Sequence, residues 1–85
     1  MAEDEVLQQL QRIAARELEV TVPLTPSLRL HEDLQLDSMQ MIVVAVGLEN
    51  HFKVKLGEED APALKTVGDL CALVVRRVAE QRGAA

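Results

Sequence analysis

The chain has 85 residues, 48% of them hydrophobic, a single aromatic (Phe52) and a formal net charge of −5. Such a length holds one domain, and the acidic balance excludes a nucleic-acid binder, which needs a basic face and stacking aromatics. One cysteine, Cys71, excludes both a disulfide framework and a thiolate zinc site. No apolar run approaches the roughly 18 residues of a membrane span, and the acidic start from Met1 to Glu5 is unlike a signal peptide, so a soluble cytoplasmic protein is expected.

Val6, Leu7, Leu10, Ile13, Ala14 and Leu18 recur at helical spacing and predict a first helix over residues 2–18, with Glu3, Asp4 and Glu5 at the end where the helix dipole favours negative charge. Pro23 and Pro26 then break the pattern, with Thr25 and Ser27 supplying turn chemistry. The connection to Asp37 is long for a small domain. Leu24, Leu28, Leu30, Leu34 and Leu36 punctuate it, so it is expected to pack against the core. A second helix is predicted over 38–52, where Asp37 and Gln40 have the spacing of a capping box. Glu58, Glu59 and Asp60 suggest a short third helix over 58–62, limited by Pro62. A last helix is predicted over 66–81 from the Thr66 and Asp69 pair and the stripe Val67, Leu70, Cys71, Val74 and Val78. The fold expected is all-α, a four-helix bundle of three longer helices and one short one, forming a single domain over 1–85.

Ser38 is the odd position. It follows an acidic cap at the start of the most apolar helix, so its hydroxyl projects into solvent. A phosphoryl group there would lie beside free backbone N–H groups and the positive end of the helix dipole. His31 and His51 are the chain's only imidazoles, and no spacing brings either to Ser38 as a base. Ser38 is therefore better placed to be modified than to attack, and no catalytic residue is assigned. Taken alone, the residues favour an ordinary N-cap or first-turn serine.

The string Asp33-Leu34-Gln35-Leu36-Asp37-Ser38-Met39 resembles the Asp-Ser-Leu signature of acyl carrier proteins, in particular the discrete bacterial type. The likeness extends to Thr25-Pro26, the Leu30 to Leu34 stretch, Leu48 to Phe52, and Leu64-Lys65-Thr66-Val67-Gly68-Asp69-Leu70. It implies that a phosphopantetheinyl transferase attaches 4′-phosphopantetheine from coenzyme A to Ser38, with Asp37 capping the helix and shaping the recognised surface. The protein would catalyse nothing. It would carry acyl groups as thioesters to acyl-transferring or condensing enzymes of fatty-acid, polyketide or related biosynthesis, as a monomer without membrane contact, where tethering raises effective concentration. The resemblance also implies an acyl cleft, for which Val44, Leu48, Leu56, Ala63 and Leu64 are candidate lining residues.

Three positions depart from the family pattern. Met39 stands for the usual leucine, a volume-conserving change. Gln35 replaces a common glycine, so the turn before Asp37 is expected to differ in backbone conformation. Val43 stands where fatty-acid carriers usually place a glutamate, which points to a specialised carrier. An aminoacyl or peptidyl carrier is the alternative within this chemistry, although the glycine-rich turn expected of one is missing. A small helical interaction module without a prosthetic group is the alternative outside it.

The second helix is too apolar to bury on one side. With Met41, Val44, Ala45, Leu48 and Phe52 in the core, Met39, Ile42, Val43 and Val46 fall outside and form a candidate docking patch, rimmed by Glu49, Glu32, Asp33 and Asp37. The competing reading covers them with the loop from Thr21 to Leu36. Residues 1–60 hold twelve acids and five bases against two and four in the remainder, so the pole around Ser38 is acidic. Cys71 reads as a small buried hydrophobe. His31 is close enough in sequence to approach the arm, although a solvent-exposed loop histidine is the simpler reading. Glu58, Glu59 and Asp60 lack the spacing of a calcium loop.

Overall fold

The computed structural model describes residues 3–56 and 64–83. In chain order these form α1 (Glu3–Glu17), α2 (Ser38–Phe52) and α3 (Val67–Gly83). The described residues are all-helical apart from loops and one isolated antiparallel bridge between Arg29 and Thr66. The short helix expected over 58–62 lies outside the described residues.

α1 starts with three carboxylates in its first turn and buries Val6, Leu10, Ile13 and Ala14. It stops at Glu17, one residue before the predicted end, because Glu19 takes a left-handed φ of 58° and the Leu18 and Val20 N–H groups both turn back to Ala14 O at 3.0 Å. α2 starts on a complete capping box. Asp37 Oδ1 accepts the Gln40 N–H at 2.8 Å, while Gln40 Oε1 accepts the Asp37 N–H at 3.0 Å. A left-handed Lys53 (φ 57°) ends it, and the Val54 N–H folds back to Glu49 O as Val54 buries. The cap of α3 is reciprocal too: Asp69 Oδ2 accepts the Thr66 N–H and Thr66 Oγ1 accepts the Asp69 N–H, both at 3.1 Å. Backbone N–H donation from Lys65 and Thr66 holds the Asp69 carboxyl below its ordinary range. Thr66 is thus the cap, and α3 runs on to Gly83, two residues past the predicted end.

The core is aliphatic. α3 supplies Val67, Leu70, Cys71, Leu73, Val74 and Val78, and α2 only Val44 and Leu48. The long loop adds Leu24, Leu30 and Leu36, so it packs down as its leucines predict. Its centre is pinned to the start of α3 by three backbone bonds: Leu30 N–H to Lys65 O (2.9 Å), Val67 N–H to Leu28 O (2.8 Å) and Gly68 N–H to Pro26 O (2.9 Å). A Cβ at residue 68 would sit 3.1 Å from Pro26 O, so a larger residue there would push this segment back by a few tenths of an ångström. Gly47 also lets the helices approach closely, since a Cβ there would sit 3.0 Å from the Ile13 Cδ1 side-chain atom.

Gln35 corrects a sequence expectation. The residue differs from the glycine common at that place, yet its φ is 56°, in the left-handed region that glycine favours. A non-glycine residue there costs roughly 1–2 kcal/mol, partly offset by the lower chain entropy of the unfolded state. Gln35→Gly is therefore expected to stabilise the fold by about 0.5–1 kcal/mol. A thermal melt should show the midpoint rising by a few degrees; a fall would mean that the Gln35 side chain contributes more than its backbone costs.

Candidate functional site

Ser38 is the first residue of α2 and is exposed. The cap is made by Asp37, so the serine hydroxyl is not used to start the helix. The Met41 N–H closes the first helical bond, to Asp37 O at 2.9 Å, and Asp37 takes the Gln40 N–H. The amides of Ser38 and Met39 stand ahead of the helical ladder. These amides and the helix dipole favour an anion on Ser38 Oγ.

The hydroxyl opens onto a cleft of about 490 Å³ between α2 and α3. Its apolar wall includes Val44, Ala45, Leu56, Leu64, Leu70 and Leu73, and Ser38, His31 and Glu49 are its polar lining residues. Of the cleft residues expected from the sequence, Val44, Leu56 and Leu64 line it, and Ala63 lies outside the described residues. Leu48 does not line it. It is fully buried, because its position on α2 points into the core shared with α1 and α3.

The remaining candidates separate along α2. Met39 (68% exposed), Ile42 (56%) and Val46 (46%) form an exposed apolar ridge, and the loop from Thr21 to Leu36 does not cover it. Ile42 and Val46 border both the Ser38 cleft and a second groove toward α1, lined by Ile13, Arg16, Gly47 and His51. Val43 is half-buried and belongs to that second groove, facing α1 and away from the cleft. Glu49 is not a free rim carboxylate: its Oε2 accepts the Leu56 N–H at 3.0 Å and ties the exit of α2 back to the helix. Glu32 and Asp33 both pair with Arg29, and Asp33 Oδ2 also takes the Arg29 N–H at 2.8 Å. The acidic pole is thus largely committed within the loop.

His31 is an exposed loop histidine, as expected, and it also lines the cleft, with Nδ1 2.7 Å from Leu36 O. His51 lies at the opposite end of α2, edge-on to Phe52 with ring centroids 4.7 Å apart. Burial pushes the Cys71 thiol up to about 11, the Glu3 carboxylate adding to it, so this sulfur stays protonated in the core. Among the described residues no cluster of histidine, cysteine and carboxylate side chains is arranged for a metal, and no helix is long and apolar enough to cross a membrane.

A helical domain that presents a capped, exposed serine beside an apolar cleft has the make-up of a carrier for a tethered group. Residues 8–74 match the family model described as the phosphopantetheine attachment site. The chain is 32% identical over 80 residues to the acyl carrier protein of Thermosynechococcus vestitus, covering 93% of this chain and 99% of that one. It is 37% identical over 62 residues to the meromycolate extension acyl carrier protein of Mycobacterium tuberculosis, covering 73% of this chain and 54% of that one. The chain therefore spans about half the length of such relatives. A solution structure of holo acyl carrier protein from Geobacter metallireducens shares the fold, with a TM-score of 0.77 at 24% identity, covering 98% of this chain and 92% of that one.

The chain belongs to the phosphopantetheine-attachment family, to which it is matched over most of its length. That family is defined by the attachment of phosphopantetheine. The site fits that group: an exposed hydroxyl, uncommitted amides for a phosphate, and an apolar cleft opening beside them.

Proposed function

We propose that Ser38 is the residue that carries 4′-phosphopantetheine, and that the protein delivers acyl groups held on that arm to biosynthetic enzymes. The observation that carries this reading is the position of Ser38: exposed, freed from capping by Asp37, and opening directly onto the apolar cleft. In loading, Ser38 Oγ forms a bond to the phosphorus of coenzyme A that bears the pantetheine, the pyrophosphate bond to the adenosine bisphosphate breaks, and the serine proton leaves. The arm supplies a thiol that holds acyl groups as thioesters.

The chain's own residues do the rest. Asp37 and Gln40 fix the start of α2 and leave the Ser38 hydroxyl out of the cap. The cleft walls at Val44, Leu56, Leu64, Leu70 and Leu73 offer an aliphatic chain a surface free of unpaired polar groups. The Met39, Ile42 and Val46 ridge is the docking surface for the phosphopantetheinyl transferase and for acyl-transferring or condensing enzymes. The likeness to carriers named for meromycolate extension, and valine at position 43, support a dedicated lipid or polyketide pathway. The protein acts in the cytoplasm as a monomer, its described helices forming one carrier domain.

Incubation with coenzyme A and a broad-specificity phosphopantetheinyl transferase is expected to add one phosphopantetheine by mass to the wild type and none to Ser38→Ala. Equal gain in both, or none in either, would sink the assignment.

A further inference from the structure

His31 is the cleft residue that the carrier reading leaves without a task. Its loop is held rigidly. The Leu36 N–H donates to Leu30 O at 3.0 Å, and the His31 ring closes the same turn from the other side, with Nδ1 2.7 Å from Leu36 O. A carbonyl oxygen only accepts, so Nδ1 carries a proton and Nε2 is the ring nitrogen left uncommitted. Leu36 stands two residues before Ser38, and His31 and Ser38 both line the cleft. Of the cleft's other described lining residues only Glu49 is ionisable, and its carboxylate is held by the Leu56 N–H. On the loop itself, Arg29 pairs with Glu32 and Asp33, and Asp37 holds the Gln40 N–H. None of these acids competes for the imidazole through a bond of its own to it.

We infer that His31 is a positioning residue for the arm: Nδ1–H anchors the ring to Leu36 O, and Nε2 meets the phosphodiester on Ser38. This rests on the assignment of Ser38. A ring protonated at both nitrogens donates to Leu36 O and to a phosphoryl oxygen together, a charge-assisted bond that orients the arm as it leaves the helix. The amides of Ser38 and Met39 serve the other side of the same phosphate. A purely structural histidine would tie the turn and leave the phosphate untouched.

A phosphodiester keeps one fixed charge between about pH 5 and 8, the range in which histidine titrates, so its 31P resonance moves there only through a titrating neighbour. After loading with coenzyme A and the transferase, the wild-type 31P resonance is expected to move with pH across that range. His31→Gln should flatten it. His51→Gln should keep it, because residue 51 stands about 20 Å along α2 from Ser38. A flat wild-type profile, or one that persists in His31→Gln, overturns the inference. Should that variant not fold, 15N-labelled wild type decides: the Nε2 resonance of His31 changes between the unloaded and loaded forms, or the inference is wrong. Absence of the mass gain on Ser38 would instead defeat the attachment assignment, so the two failures are distinct.

Discussion

Leu30→Ala is expected to remove about 3 kcal/mol of stability, within the roughly 2–5 kcal/mol usual for truncating a buried leucine. Leu30 is fully buried although it lies in a loop, and its backbone holds two of the bonds that keep that loop in place, to Lys65 O and from the Leu36 N–H. A domain of this size has a total stability of roughly 5–15 kcal/mol, so the loss is a large fraction of the whole. At roughly 4–8 °C per kcal/mol for a domain of 60–100 residues, the melting midpoint should fall by about 15 °C. Val22→Ala offers the contrast. Val22 is 52% exposed in the same loop, and its truncation should stay within about 0.5 kcal/mol. Calorimetry on the two variants separates the readings. Equal, small effects would mean that the loop lies on the surface and is not part of the cooperative core. A large effect confined to Leu30 means that the segment carrying His31 and Ser38 is held by the core.

The parts of this architecture that could be read from the sequence are those with a local cause. The Asp37 and Gln40 pair and the Thr66 and Asp69 pair each satisfy orphan amides at fixed three-residue spacing, and both appear as reciprocal hydrogen bonds. The loop leucines pack because aliphatic side chains recurring every two or four residues, from Leu24 to Leu36, have no other way to leave water. What was not legible had a non-local or rotational cause. From Met41 to Leu48 the second helix is apolar nearly all round, so periodicity fixes the helix but not its rotation. That is why Leu48 was placed in the cleft as well as in the core, when it belongs to the core alone. The burial of Val44 and Leu48, with Gly47 close to Ile13, shows the rotation taken, and no pattern in α2 itself reveals it. Glu49 was expected at the rim of the docking patch. The left-handed Lys53 turns the chain so that the Leu56 N–H, seven residues on, comes back to its carboxylate. Gln35 shows the converse, since a residue poorly suited to the left-handed region occupies it because the bonds of Leu36 to Leu30 and His31 determine the turn.

Ile42→Glu is expected to lower the kcat/KM of phosphopantetheine loading about tenfold or more, with the melting midpoint unchanged within about 2 °C. The two halves of this expectation come from the same number. At 56% exposure Ile42 contributes little to the core, so a carboxylate there stays hydrated in the free protein. In a complex whose contact centre is the Met39, Ile42 and Val46 ridge, the same carboxylate must be stripped of water without a partner, and this costs at least the roughly 1.4 kcal/mol that a tenfold change represents. The first turn of α2 holds no acidic residue, so the ridge lacks a charge that would already have selected a basic partner surface. An added glutamate is therefore an intrusion on an apolar contact and not an extension of an acidic one. Val22→Glu is the control, because it makes the same change of charge at an equally exposed apolar side chain on the loop between α1 and α2. Loading that slows in Ile42→Glu and not in Val22→Glu places the transferase on the ridge. Equal slowing would assign the effect to net charge, and no slowing in either would remove the ridge from the docking surface.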